Sequence, residues 1–584
     1  MCGISGFNWN DEKKIKEMVS CLAYRGPDAQ GVFLDEGISL GHARLSVIDL
    51  SPDANQPMSD NNGELIIVFN GEIYNFHELK EELQGEYQFK TKSDTEVILA
   101  GYRKWGRNMA EHLNGMFAFA IYDKRDKSLF CARDHLGMKP FYYFWDGTRF
   151  IFASEIPAIL AHDVPRVLDK EAFNHYFRVL FVPEPMTLLK DVYKLPASHT
   201  LILKDGKITV ESYGEKEFPR TILSYEESAK LLKEKVIKAV ERHLVSDVPV
   251  GVYLSGGIDS SIVLAAASRF HKRIKTFTVG FTLEDKGESH KFNADFDLAA
   301  RTAKFFNTEH HTITISVKDA LNAMEEVALH NSDPVSNPTS IAMFLLARFA
   351  RKEVTVALTG NAGDELFGGY GRYRIALAAR YLYTKPNLFA KFMFEKDGKL
   401  SRIISQEMFL PGSMIKSRYK KYLRGRDAAE ALMSADRLSW LPEHFFMLSD
   451  KMSMASALEE RMPLGDKELV AFSQTLPRNY KVDLRKTKKI LKYAFKDDLP
   501  EFLFDQPKRG WFSPAAKWFR NKEFADFARE ILSESYCAGS GKLFNWQELR
   551  GMLERHINKE EYNLTSLWAV LTFQMWAKKF KVEI

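Results

Sequence analysis

Val250-Gly251-Val252-Tyr253-Leu254 is a short apolar run that breaks into Ser255-Gly256-Gly257 and passes, at Ile258-Asp259-Ser260-Ser261, into a helical pattern. A buried strand feeding a glycine loop and then a helix is the unit from which parallel sheets are built. Two more apolar runs, Thr276 to Phe281 and Val354 to Thr359, alternate with helical stretches. This part of the chain is therefore expected to be α/β. Its loop also constrains the chemistry. Glycines expose backbone N–H groups, the serine hydroxyls add donors, and a helix N-terminus favours an anion. Asp259 can hold Mg²⁺ against bound phosphates. The Lys-Ser/Thr ending of a Walker A loop is missing.

Upstream of about residue 210 the pattern differs. Leu65 to Phe69 is a β-type run that stops at Asn70-Gly71, and Met116 to Tyr122 with Leu129-Phe130-Cys131 reads as a hairpin. Phe150-Ile151-Phe152 is another strand, and Asp94 to Lys104 is a helix. An α+β sandwich is expected there. Gly, Pro and charges cluster from Glu211 to Thr221. Ser224 and Glu227 then form a capping box before a helix with Leu232, Val236, Val240 and Leu244 on one face. After about residue 375 the chain looks mostly helical. A chain of 584 residues is too long for one core, and the expected domains are 2–212 and 222–584.

The amino end carries the second chemical signal, Met1-Cys2-Gly3-Ile4-Ser5-Gly6. If Met1 is removed, the Cys2 thiol and a free α-amine share one residue. An amine with a pKa of about 7.7–8 can take the thiol proton and later pass it to a leaving group.

Composition excludes several classes. Lys and Arg total 82 against 77 Asp and Glu, so no global case exists for nucleic acid or an anionic membrane. No run of 18 apolar residues occurs, and residues 1–20 lack an apolar signal core. Cys2, Cys21, Cys131 and Cys537 show neither zinc nor disulfide spacing. A reducing cytoplasm is expected. Lys416 to Arg426 is a basic-aromatic cluster, read as a solvated helix face. Leu564, Leu567, Trp568, Leu571 and Met575 read as a core stripe.

Together, Cys2-Gly3-Ile4 and Ser255-Gly256-Gly257-Ile258-Asp259-Ser260-Ser261 resemble the glutamine-hydrolysing asparagine synthetases, over nearly the whole chain. The resemblance implies an N-terminal class II glutaminase domain of the Ntn αββα type. It also implies a C-terminal ATP-pyrophosphatase-type synthetase domain, and a tunnel for ammonia between them. ATP, Mg²⁺, glutamine and aspartate are the implied ligands, and a homodimer is compatible with the family. Arg25-Gly26-Pro27-Asp28, His42 to Ser46, Asn70-Gly71-Glu72 and Ser93 to Glu96 match family segments, with Tyr24 where relatives carry His. By resemblance Arg44 binds the α-carboxylate of glutamine, Asp94 its α-ammonium, and Glu72 also contacts it. Asn70 and the Gly71 N–H form the oxyanion hole. Arg133 to Pro140 and Phe152 to Glu155 are expected to be structural, at the tunnel or the domain interface.

In the second domain the resemblance assigns the adenine to Leu254 and Val279, and the phosphates to Ser255, Gly256, Gly257, Asp259 and Ser260. Thr359-Gly360 lies near the nucleotide and acyl-adenylate. By the same resemblance Asp364 assists Mg²⁺, with Asp259, or the acyl-adenylate intermediate beside Asn361, and Lys488 neutralises charge on the leaving pyrophosphate or the tetrahedral adduct. Asp450 to Met454 and Glu459 to Pro463 are read as a later helical segment with no chemistry. One departure stands out: Asn361 replaces a residue that is usually acidic, and Asn cannot accept a proton near pH 7. It motivates an alternative acceptor, such as a sugar acid in polysaccharide synthesis. A glutamine-binding or glutaminase-only protein with a silent synthetase half is a further alternative.

Overall fold

The computed structural model describes residues 1–214, 218–283, 286–379, 384–425, 427–504, 506 and 513–584. Residues 215–217 of the expected interdomain break and Arg426 of the basic cluster lie outside the described residues. In the first part the strands are β1 (Gly3–Phe7), β2 (Ala29–Asp35), β3 (Ile38–Arg44), β4 (Met58–Ser59), β5 (Leu65–Ile73) and β6 (Gly115–Asp123). They continue as β7 (Ser128–Arg133), β8 (Tyr142–Trp145), β9 (Phe150–Ala153), β10 (Val192–Lys194), β11 (His199–Lys204) and β12 (Lys207–Ser212). One sheet has the order β10-β8-β9-β1-β3-β2 and the other β12-β11-β7-β6-β5-β4.

Strand periodicity explains the layering. Along β5, Ile66 and Val68 join Ile4, Leu40, Ala118, Ala120 and Phe152 in a core between the two sheets. Leu65, Ile67 and Phe69 face the other way, into a cluster with Val97, Ile98 and Leu99 of the helix Thr95–Trp105. Phe7 and Ile151 of the first sheet pack on Ile15, Met18, Val19 and Leu22 of the helix Glu12–Leu22. Helix, sheet, sheet and helix are thus stacked as an αββα sandwich, as expected.

The second part holds β13 (Val250–Tyr253), β14 (Lys275–Phe281), β15 (Glu309–Ile315), β16 (Val356–Leu358) and β17 (Glu459–Arg461), in the order β15-β14-β13-β16-β17. Every neighbouring pair is parallel. The chain leaves β13 toward β14 on one side and returns as β16 on the other. The crevice beyond the carboxyl ends of β13 and β16 is therefore a topological switch point, where such sheets bind ligands. Ser224 and Glu227 form the capping box. After residue 375 helices dominate, and Leu567, Trp568, Leu571 and Met575 are buried.

One expectation fails. Glu459 to Arg461, read as helical, is the edge strand β17. Its register, Val356↔Glu459 to Leu358↔Arg461, is set by β16, and tertiary pairing overrides the poor strand propensity of Glu-Glu-Arg. The basic cluster forms a 3₁₀ turn over Lys416–Tyr422 with Tyr419 and Tyr422 buried. Among the described residues, no helix is long and apolar enough to cross a membrane.

Candidate active sites

Cys2 stands at the head of β1, whose neighbours β3 and β9 hold it in register through Gly3↔Ala43 and Ser5↔Ala153. It is buried. Its backbone N–H donates to Asn70 Oδ1 at 3.0 Å, which staples the first sheet onto β5 of the second. Nearby, His42 on β3 makes a second link, with Nε2 3.1 Å from the Phe69 carbonyl. Burial pushes the His42 pKa down to about 3, so the ring is neutral and Nε2 donates. Asn70 Nδ2 is buried with no hydrogen-bond partner among the described residues. An orphaned donor beside a thiol costs free energy unless something accepts from it, and the oxyanion of a carbonyl attacked by the Cys2 sulfur would. The next residue must be glycine: a Cβ at Gly71 would lie 2.1 Å from the Met116 carbonyl oxygen of β6. Burial pushes the Cys2 thiol up, outweighing the Met1 ammonium and Arg44 that favour the thiolate.

A cavity opens at the thiol, lined by Arg44, Gln56, Gly71, Glu72, Asp94 and Glu459 among others. Arg44 is held by its own loop: Nη1 donates to the Ser51 carbonyl and to Asn55 Oδ1, both at 2.8 Å. Asp94 precedes the helix Thr95–Trp105 and accepts from the Ile73 N–H at 2.9 Å. Burial pushes its pKa up to about 6. Burial and Asp94 also push the Glu72 carboxyl well up, against the pull of Arg461. Gln56, missed in the sequence, clamps the wall: its Oε1 accepts from the Phe69 N–H at 2.6 Å and its Nε2 donates to Thr95 Oγ1 at 3.2 Å. A lone Gln in a loop gives no signal of this.

Behind the thiol, the two halves of the chain meet through buried charges. Arg25 Nε donates to the Cys2 carbonyl at 3.1 Å. Its Nη1 donates to Glu155 at 2.7 Å and its Nη2 to Asp450 at 2.8 Å. Lys451 donates to Glu155 at 2.7 Å and Lys139 to Asp450 at 3.1 Å. Tyr24 packs edge-on against His330, with ring centroids 4.4 Å apart. The Arg133–Pro140 and Phe152–Glu155 segments thus lie at the interface, as expected. Asp450 and Lys451 need correction, because they are charge partners of the Cys2 support and not plain core. A second bridge runs through β17, where Arg461 donates to Glu72 at 3.0 Å and to Glu459 at 2.7 Å.

The other site forms at the switch point. Gly256 turns the chain with a φ of +74°, and a Cβ there would lie 2.3 Å from the Asp295 carbonyl oxygen. The Ser255 N–H donates to Ser260 Oγ at 3.2 Å, and the two hydroxyls are 3.0 Å apart. Gly257 caps the helix Ile258–Ala267. Leu254 and Val279 are buried beside this loop, with the Thr278 hydroxyl donating to the Leu254 carbonyl at 2.6 Å. From β16, the Thr359 N–H donates to the Arg461 carbonyl at 2.9 Å. Gly360 crosses the loop so closely that a Cβ would lie 2.5 Å from the Ser260 nitrogen. Asn361, half-buried, donates its N–H to Thr359 Oγ1 at 3.3 Å.

Asp259 and Asp364 converge on Lys488, which pairs with both. Their charges raise the Lys488 pKa despite its burial. Lys488 adopts a left-handed backbone with φ +52°, a conformation costly for a side-chain-bearing residue. The glycines make room: a Cβ at Gly363 would lie 2.7 Å from Asp259 Oδ1, and one at Gly369 would lie 1.7 Å from Asp364 Oδ1. Two carboxylates in a glycine cradle beside a helix N-terminus fit Mg²⁺ carried in with phosphates. Asp259, Asp364 and Lys488 are thus brought together at the switch point, with Gly360 against Ser260 and Gly363 against Asp259.

Two families match the chain. The one described as glutamine amidotransferase domain matches residues 1–214, and the one described as asparagine synthase matches residues 231–578. The glutamine-hydrolyzing asparagine synthetase 1 of Bacillus subtilis is 34% identical, covering 99% of this chain and 96% of its own. The glutamine-hydrolyzing asparagine synthetase 3 of the same organism is 31% identical, covering 87% of this chain and 86% of its own. Amidase chry2 of Gibberella zeae is 26% identical, covering 100% of this chain and 99% of its own.

Proposed function

The chain belongs to the glutamine-hydrolysing asparagine synthetase family, and from that premise we propose how its two sites divide one reaction. With Met1 removed, the Cys2 α-amine takes the thiol proton and the sulfur attacks the side-chain amide carbon of glutamine. Asn70 Nδ2 and the Gly71 N–H receive the oxyanion. The amine returns the proton to the leaving ammonia, and water releases glutamate from the thioester. Arg44 is the fork for the glutamine α-carboxylate, and Glu72 and Asp94 face its α-ammonium. The observation that carries this reading is the buried Asn70 Nδ2, without a hydrogen-bond partner among the described residues, while Asn70 Oδ1 already fixes Cys2.

At the switch point, the adenine of ATP packs on Leu254 and Val279. Its phosphates lie over Ser255, Gly256, Gly257 and Ser260 at a helix N-terminus. Asp259 and Asp364 would hold Mg²⁺, which supplies charge neutralisation on the phosphates. The aspartate side-chain carboxylate attacks the α-phosphorus, and pyrophosphate departs beside Lys488. Ammonia from the first site then displaces AMP from the acyl carbon beside Thr359-Gly360, giving asparagine. Joint assembly of Asp259, Asp364 and Lys488 disfavours a silent second half.

A second reading keeps the chemistry and changes the acceptor. Asn361 favours it, because a carboxylate at that place is what would order an aspartyl adenylate or deprotonate ammonia. So does full-length similarity to a protein named as an amidase. The test is incubation with Mg-ATP, aspartate and amide-¹⁵N glutamine, followed by mass spectrometry. Labelled asparagine with equal AMP is expected. Glutamate and free ammonia without AMP would overturn aspartate as the acceptor and direct the search to other carboxylates.

A further inference from the structure

β17 is an edge strand of three buried charged residues, and such a strand needs partners for every charge. Glu459 and Arg461 share one face, two positions apart, toward the first half of the chain. Arg461 is fully engaged: Nε on Glu459, Nη2 on Glu72, and Nη1 on the His243 and Val245 carbonyls at 2.8 and 2.6 Å. Glu459 is not consumed in the same way. Its Oε1 accepts from Arg461, and its Oε2 faces the cavity, where it accepts from the α-ammonium of Met1 at 2.9 Å. A primary ammonium therefore sits on this oxygen, beside Cys2 and with neither group exposed to water.

We propose that Glu459 is a binding residue of the glutamine site, contributed by the synthetase half. Its Oε2 takes a primary ammonium: the α-ammonium of glutamine, or the α-amine of Cys2 in a chain processed to begin there. The inference rests on the glutaminase reading above. Of the three carboxylates that line the cavity, Glu72 and Asp94 have pKa values pushed up by burial. Burial would raise Glu459 too, but the ammonium and Arg461 outweigh it and hold it at about 2. Glu459 is thus ionised with a primary ammonium on its Oε2 and Arg461 on its Oε1. Because the Thr359 N–H is bonded to the Arg461 carbonyl, the strand that brings Glu459 to the glutamine pocket also braces the loop of the nucleotide site.

The test uses the full chain with its processed amino end verified by intact mass. Glutamine is compared with its des-amino analogue 5-amino-5-oxopentanoate, for wild type and Glu459→Gln. If Glu459 holds the substrate ammonium, kcat/KM for glutamine falls about 10- to 100-fold, the size of a lost charged hydrogen bond. The analogue is unaffected, so discrimination collapses. If it holds the Cys2 amine, both substrates fall together and the acid limb of the pH profile moves to lower pH, because the protonated amine loses its counter-charge. The other groups facing that ammonium are the Cys2 thiol, His42 and Glu72. Wild-type kinetics and pH profile for both substrates would overturn the proposal. Glu459→Asp keeps the charge against Arg461 and so guards against misfolding. It should shift the same parameters by a smaller factor, and an unshifted Glu459→Asp with a folded, ammonia-dependent synthetase would equally overturn it. A wild-type protein that does not hydrolyse glutamine would instead defeat the glutaminase reading.

Discussion

Arg25 and Asp450 lie 425 positions apart in the chain and meet at 2.8 Å, with neither side chain exposed. Since Arg25 also holds the Cys2 carbonyl, a residue of the synthetase half supports the nucleophile of the other. Removing one partner of a buried pair costs about 3–5 kcal/mol, because the remaining charge stays buried. Asp450→Asn should lower stability by about that amount and reduce glutamine hydrolysis about tenfold or more. Denaturant unfolding and a glutamate-release assay check this. Unimpaired hydrolysis in a folded variant would show that Arg25 alone fixes Cys2.

The two sites should be separable by substitution. Asn70→Ala removes a donor to the oxyanion and should lower glutaminase kcat about 10²- to 10³-fold, while synthesis from added ammonia continues. Lys488→Met should do the reverse, abolishing AMP formation while glutamate release persists. Parallel assays of glutamate and AMP on both variants decide the matter. Loss of both activities in either variant would contradict a division into two sites.

Asp94 should show a cost of function. Its folded pKa of about 6, raised by burial, lies above the unfolded value of about 3.9. Folding therefore favours the protonated form. The stability associated with it is fully present below about pH 4 and is lost as pH rises through 6, reaching roughly 2–3 kcal/mol at neutral pH. Asp94→Asn removes that loss. It should raise Tm at pH 7.5, with the gain shrinking through pH 5, and should weaken glutamine binding. Thermal melts across pH and the KM for glutamine test both halves of the statement.

The sequence made legible what is local. The Ser224–Glu227 capping box depends on residues three apart, and the glycine loop at 255–257 announces itself because only glycine fits its turn and its approach to residue 295. Asp259, Asp364 and Lys488 could be named through their motifs, although the left-handed backbone that aims Lys488 could not. The bridge between halves was hidden. Glu459-Glu460-Arg461 has no strand propensity, and only pairing with Val356 to Leu358 about a hundred positions upstream makes it one. Asp450 and Lys451 sit among methionines that read as core, and their partners Arg25, Lys139 and Glu155 are hundreds of residues away. Buried charges of this kind are defined by tertiary contact, so no local pattern reports them.

Asn361 offers the sharpest test of what the second site accepts. It lies between Gly360, pressed against the nucleotide loop, and Ala362, which is left-handed with φ +77°. Its backbone is thus fixed and only its side chain is free to matter. Asn and Asp have nearly the same shape, so Asn361→Asp changes charge and proton affinity without repacking the loop. If this position is a weakened form of the family's acidic residue, the variant should keep or raise the rate of asparagine formation from aspartate, with glutaminase activity unchanged. If the variant instead loses activity with aspartate while folding normally, the amide is a working part of the site. An acceptor screen monitored by AMP release would then show which other carboxylates share that dependence on a donor at residue 361.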